Sequence, residues 1–467
     1  MPRQEAGMVL LVVLMILLVV SGSSASFIWF MNQQQTRAGL RFRSAAALAV
    51  AEAGVYRVLS ILETVAPGGR SPGRVWRDSA YAETMSVGPL EGRFTVSLTD
   101  EADGAIIVTS AGQVGGVTRR VRAQVYLASP ALLAALYGAS EVRLERPPAA
   151  TFLLPYGAGI GDRPWIHVAA GTGIWFATPS VSINDPSVSF GARPGPVDAP
   201  EGVNSATAVP RPGPVRLLLA RGAELTLDQP RHRVDVQQLR AMGVYLEGVV
   251  LRTEALPRVP EVDRAYYQTL AAANTRNATL NEAAGRYLGD ADLTSKRDSL
   301  YTQREFEQLR AYLQAGLARP RFEGVLYVKG VVELFGGQQV EIADGSLVTE
   351  SGVHLNLGAT LEITHSPATR TLPGLLVTGI IGTLIVTEGA RLQVHGLVYA
   401  SRAFDVNDGA RVDIVGAVLD NDGELSFRNH AATVVIRYDP AVLGTPGLRI
   451  PQDSPVVAWV AGWEELP

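Results

Sequence analysis

Two stretches near the C-terminus carry one pattern. LIVTEGARLQVHGLVYA begins at Leu384 and FDVNDGARVDIVGAVLD begins at Phe404. Leu384, Val386, Gly389, Ala390, Leu392 and Val394 correspond in order to Phe404, Val406, Gly409, Ala410, Val412 and Ile414. LSFRNHAATVVI keeps the phasing from Leu425, and VEIADG at Val340 and LEITHS at Leu361 begin similar units. The steps between starts are 21, 23, 20 and 21 residues. Short alternating strands broken at glycine with a period near ~20 residues predict a β-solenoid, each coil turning its apolar side chains inward. A sandwich, the competing architecture, has no reason to repeat Gly-Ala-Arg in phase.

The opposite end is a different kind of sequence. Met8 to Met31 is 24 residues without a charge, enough helix at ~1.5 Å per residue to cross a bilayer core. Helical spacing continues past it, with Leu48, Val55, Leu59 and Leu62 on one face and Arg57 and Glu63 off it, so the membrane helix is expected to run on as a stalk. SGSSAS after Val20 offers a signal-peptidase site, but the preceding seven residues hold a single Arg3, which is weak for an export leader. Arg37, Arg41 and Arg43 lie beyond the span, against the usual positive-inside bias. APGGRSPGR from Ala66 ends the helix, and FTVSL from Phe94, AIIVTS from Ala105 and RRVRAQVYL from Arg119 read as strands joined by DEADG and GQVGG turns.

A short leader ending in Gly7, then Met8, an apolar helix and SAAALAVAEAGVYRVL resembles the type IV pilin-like proteins, in particular large minor pilins and pilus-assembly proteins with an Ala-Glu-Ala-Gly segment. The resemblance covers roughly residues 1–130. It implies cleavage by a prepilin peptidase between Gly7 and Met8, methylation of the new N-terminus, and a small antiparallel sheet after the helix. It also implies docking of the helix, through residues such as Val12, Leu18 and Phe27, against other pilins and inner-membrane assembly proteins. Major pilins carry glutamate where this chain has Val12. The loss of that acid, shared with tip-type pseudopilins, points to a priming or tip-proximal role. The implied location is the inner membrane before assembly and the pilus or cell surface after it.

The expected fold is mainly β with an N-terminal α-helix. Its parts are a leader (1–7), a transmembrane and stalk helix (8–65), a pilin-like sheet (66–130), a first solenoid-like region (131–256), a helical insertion projecting from the solenoid (257–321), the β-solenoid (322–445) and a C-terminal tail (446–467). In the insertion, Tyr266, Leu270 and Ala273 share one face, Phe306, Leu309, Tyr312 and Leu313 another, and Thr302 with Glu305 forms a capping box.

Chemistry is sparse. There is no cysteine, which excludes disulfides and Cys-type zinc sites. His167, His232, His354, His365, His395 and His430 show no close-spaced ligand pair. Asp405 and Asp408 one coil above Glu388, with Asp413 nearby, imitate the carboxylate groups of β-helix polysaccharide enzymes, but aspartate at a coil corner is more commonly a turn residue. No active site and no cofactor are expected, and a membrane-tethered polysaccharide-acting enzyme ranks third. Large minor pilins with a solenoid head also resemble those linked to DNA capture, which makes a DNA-binding or adhesive tip the second reading. Arg286, Lys296, Arg297 and Arg304 are its candidate contacts. Against it, the insertion holds ten basic residues to eight acids, and the whole chain carries −4.

Overall fold

The computed structural model describes residues 3–65, 81–100, 105–144, 256–315, 321–427, 432–451 and 454–466. Between 149 and 253 it describes the strand segments 149–154, 159–160, 163–164, 166–170, 173–176, 188–192, 211–212, 217–220, 224–227, 232–233 and 250–253. For 3–12 and most of 144–253 the description is of the backbone alone. The helix-ending stretch from Ala66 and His430 lie outside the described residues.

Helix α1 runs unbroken from Arg3 to Val65, 63 residues or roughly 95 Å. Its second half lies on an antiparallel sheet of β1 (Tyr81–Val87), β2 (Leu90–Asp100), β3 (Ile106–Val114) and β4 (Val117–Ala128). Ala47, Val50, Ala51, Val55, Val58 and Leu62 are buried there against Phe94, Val96, Val108, Val121 and Val125. Leu48 and Leu59 sit at the margin of this face. The stripe is made of small residues because helix and sheet nearly touch. A Cβ on Gly112 would stand 2.2 Å from the Ala47 carbonyl and 2.4 Å from the Ala51 nitrogen. The residues expected as a tail instead form a fifth strand, Val457–Leu466, paired antiparallel with β4. The Glu63 carboxylate accepts a hydrogen bond from its Ala458 N–H at 3.0 Å.

The larger region is built of parallel strands in three faces, joined coil to coil. Down the second face, Val332, Val353, Leu384, Phe404 and Leu425 are register partners. Down the third, the partners are Val340, Leu361, Leu392, Val412 and Val434. The units at Val340 and Leu361 therefore belong to a different face from those at 384, 404 and 425. Along one face the steps are 21, 31, 20 and 21, so the coil period holds and one coil carries ten extra residues. The surplus is divided, seven residues in the loop 365–374 before the first-face strand and three in 378–382 after it. At the corners before the third face, two successive residues adopt positive φ, as in Glu388 and Gly389 (52° and 75°) and Asp408 and Gly409 (50° and 76°). The second position is thus the glycine the repeat marks. Backbone ladders such as Gly389 N–H to the Asp408 carbonyl (2.9 Å) join one corner to the next.

The order of coils does not follow the chain. The last coil of residues 321–437 stacks on the first coil of the earlier region, Val418 opposite Leu136, Leu425 opposite Val142 and Val434 opposite Ala150. From this seam the earlier region winds away to Val250–Thr253. The polypeptide returns through 256–273 and re-enters at the far end.

That return path corrects the expectation of a projecting insertion. Residues 256–262, α2 (Arg264–Ala273), α3 (Ala278–Leu288), α4 (Ala291–Ser295) and α5 (Gln303–Gln314) strap the first face and cover its far coil. The outward row Tyr327, Val348, Leu376, Tyr399, Leu419 and Tyr137 is buried. Tyr137 donates to the Pro257 carbonyl, and Gln268 reaches Tyr327 (3.1 Å) and Glu350 (3.3 Å). Leu293, Tyr301, Phe306 and Leu309 belong to the same core as Phe322 and Leu326. The capping box of Thr302 and Glu305 forms as expected.

Candidate assembly surface

The feature that separates this chain from an ordinary globular protein is the first half of α1. From Val13 to Val20 and from Phe27 to Met31 every apolar side chain is at least 43% exposed, with Leu18 at 72% and Phe27 at 64%. The helix passes a length and hydropathy criterion for membrane crossing, and none of its most apolar window is buried. Its polar atoms are handled internally: Ser26 Oγ donates to the Gly22 carbonyl at 2.9 Å. Gly7, Met8 and Val12 lie on the same helix, described by backbone alone.

The helix reaches the coil body through a neck formed at the seam. β4 leads through a short 3-10 turn, Pro130–Leu133, into the first coil, and the last coil leads through a second, Pro440–Gly444, toward the fifth strand of the sheet. Tyr438 Oη donates to the Leu132 carbonyl at 2.6 Å, tying the two together. The extra loop 365–374 reaches the same place. Arg370 donates from Nε and Nη2 to the two Asp439 oxygens, both at 2.9 Å, while Asp439 also accepts from the Ala441 N–H. Tyr126 and Trp459 stack at 5.8 Å beside Gly444. At the root of the loop, His365 Nε2 lies 2.8 Å from the Gly345 carbonyl. A carbonyl only accepts, so Nε2 carries the proton. Burial holds the His365 pKa below its usual value.

The seam holds a buried acid. Asp420 faces the interior, between Ala400 and Gly138 in register, and is fully buried. Oδ2 accepts from the Gly423 N–H at 3.0 Å, and Oδ1 has no hydrogen-bond partner among the described residues. Desolvation raises its pKa to about 7. On the second face Arg143 bridges the seam, 2.8 Å from Glu141 and 3.0 Å from Glu424.

The four basic residues marked as DNA contacts are placed less favourably than their charge suggests. Arg286 and Arg297 both pair with Glu282. Lys296, only 12% exposed, lies 2.9 Å from Asp298 and 3.2 Å from Glu305, over the Tyr301 ring. Arg304 is exposed near Asp290, whose pKa is lowered chiefly by the Leu293 N–H and then by Gln308, with a smaller contribution from Arg304. Tyr267 and Tyr301, two of the five insertion tyrosines, are fully buried.

The carboxylates weighed for catalysis are spread out. Asp405 faces outward on the second face, Asp413 pairs with Arg437 on the third, and Glu388 and Asp408 occupy successive corners. Among the described residues, no group of three His, Asp or Glu side chains is placed to hold a metal. Sequence reasoning missed Arg370, Asp439 and Asp420, whose significance depends on which coils meet.

No family model and no curated protein matches this chain. Among solved structures it is similar to the competence-associated pilin ComZ from Thermus thermophilus, at 14% identity over 91% of this chain and 98% of that one, with a TM-score of 0.18. A score that low carries no weight, so the functional reading rests on the chain's own geometry.

Proposed function

We propose that this protein is a minor pilin-like component of a type IV pilus or a related type II secretion or competence machine. It acts in assembly or priming and displays the coil body as its head. The observation that carries the reading is one continuous helix with two environments: an apolar half exposed from Val13 to Met31, with none of the described residues folded against it, and a half held on a sheet by a stripe of small residues. An apolar rod of this length is stable when lipid or the helices of other subunits surround it.

In this reading prepilin peptidase cuts between Gly7 and Met8 in the inner membrane. The apolar half, including Val12, Leu18 and Phe27, then moves from lipid into the core of the filament. Valine at position 12 leaves no carboxylate to bury among neighbouring helices, which suits a subunit that enters first.

N-terminal sequencing of the protein from cells tests the proposal. A methylated Met8 as first residue is the expected result. A start within Ser21–Ser26 removes the apolar rod and ends the assignment. Loss of pili on deletion of the gene is the matching expectation for an assembly role.

A further inference from the structure

The repeated Gly-Ala-Arg does more than mark corners. Arg391 and Arg411 are direct register partners on the outward side of the third face, in parallel strands about 4.8 Å apart. Both are exposed, and their neighbours Leu392 and Val412 turn into the core. Like charges stacked this way repel. Yet neither guanidinium has an ion pair or side-chain hydrogen bond among the described residues. The same face shows what compensation looks like, since Arg321 lies 3.5 Å from Glu341 and Arg437 pairs with Asp413. The register row through the two arginines is Gln339, Thr360, Arg391, Arg411 and Thr433, five hydrogen-bond donors and no carboxylate.

We propose that this row is a binding track for an acidic polysaccharide lying along the stack of coils. Its carboxylates sit on the paired arginine forks and its hydroxyls on Gln339, Thr360 and Thr433. A guanidinium presents parallel donors that match a carboxylate, and the flanking amide and hydroxyls suit the neutral parts of a sugar chain. The surroundings select against nucleic acid. Among the residues described with side chains, the outward positions of this face present no Phe, Tyr or Trp on which bases would stack. Glu362 in the next row and Glu388 and Asp408 at the corners penalise a polymer as densely charged as DNA, with one charge per ~1.7 Å of duplex. A chain with one carboxylate per sugar and hydroxyls between carries less charge per length than a DNA duplex, so it meets a smaller penalty. The proposal does not depend on how the N-terminal helix is processed or assembled.

The test uses the full chain in detergent micelles with three probes: polygalacturonate, neutral dextran and oligothymidylate. Polygalacturonate is expected to bind in a salt-sensitive manner, at least tenfold more tightly than either other probe. R391Q/R411Q should weaken that binding at least tenfold, and R391K/R411K, which keeps charge but loses the fork, by an intermediate factor. R321Q, on the same face but outside the row, should bind as the parent does. Thermal unfolding of the glutamine pair should match or exceed that of the parent, because a repulsion is removed. Failure of polygalacturonate to bind, equal or tighter binding of oligothymidylate or dextran, or an R391Q/R411Q variant that binds like the parent would each overturn the proposal.

Discussion

The helix-and-sheet unit and the coil body solve the same problem by different means. In the first, an antiparallel sheet buries one face and leaves the other to solvent, and its partner helix approaches so closely that Gly112 has no room for a side chain. In the second, each strand finds its partner one coil away and the interior is filled by ladders of Val, Leu, Ile and Phe. The helix unit therefore rests on backbone proximity at a few small residues, whereas the body rests on register. A register ladder can absorb an awkward residue if both partner coils shift little, and the seam shows this: Asp420 sits inside it with one oxygen that finds no partner among the described residues.

The largest effect on this contrast should come from that acid. Its folded-state pKa of about 7 lies above the ordinary 3.8, so between these values the folded chain holds a proton the unfolded chain has lost. Stability from this group is full below about pH 4. It falls by ~1.4 kcal/mol per pH unit and is gone above about pH 7, a swing on the order of 4 kcal/mol. Asp420→Asn should remove the swing, gaining on the parent as pH rises, as read from denaturant unfolding at pH 4.5, 6 and 8. Parallel profiles for the two proteins would show that Asp420 titrates alike folded and unfolded, and that the seam imposes no desolvation cost on it.

Next in size is Gly112→Val. The side chain meets the Ala47 carbonyl and forces α1 off the sheet, at a cost of roughly 3 kcal/mol. The sheet transition should move down in a calorimetric scan while the body transition stays. A single transition lowered as a whole would mean the two regions unfold together, and the contrast between them would lose its energetic content.

Arg370→Ala acts at the junction and should cost about 1–2 kcal/mol, because Asp439, at 11% side-chain exposure, keeps its bond from Ala441 but loses the guanidinium. Proteolysis of the loop 365–374 should accelerate in the variant at temperatures where the parent resists.

Much of this architecture was legible, and the errors have physical causes. Gly389 and Gly409 mark the corners, and RRVRAQVYL from Arg119 reads as a strand, because both signals are local. The units at Val340 and Leu361 look in sequence like those at 384, 404 and 425 because the second and third faces share an apolar alternation, and only pairing distinguishes them. The strap reads, from its own sequence, as a projection. A signal is present: first-face strands such as LLV at Leu375 and LVYA at Leu397 are apolar at every position, whereas GVHL at Gly352 and RLQV at Arg391 are apolar at every second one. A strand apolar on both sides needs cover on both sides. The strand at Val457 pairs with β4 more than three hundred residues earlier, and nothing local announces so distant a partner. The helix docking site was legible as a run of apolar residues, but its separation into free and buried halves followed only from where the sheet lies.

The smallest expected change in stability tests that separation most directly. Leu18 is 72% exposed, so Leu18→Ala loses little beyond contacts with its neighbours on the helix and should leave unfolding within ~0.5 kcal/mol of the parent in detergent. The equivalent truncation in the other half, Val58→Ala, opens a cavity under a residue with no exposure and should cost about 1–3 kcal/mol. If the apolar half serves as a docking surface, Leu18→Ala together with Phe27→Ala should reduce recovery of the protein in sheared filaments while its membrane-bound amount stays constant. Val58→Ala should lower the two in proportion, because it weakens the fold rather than the contact. Equal recovery for both variants would mean that the exposed half contributes span alone, and the distinction between the two halves of α1 would reduce to membrane insertion.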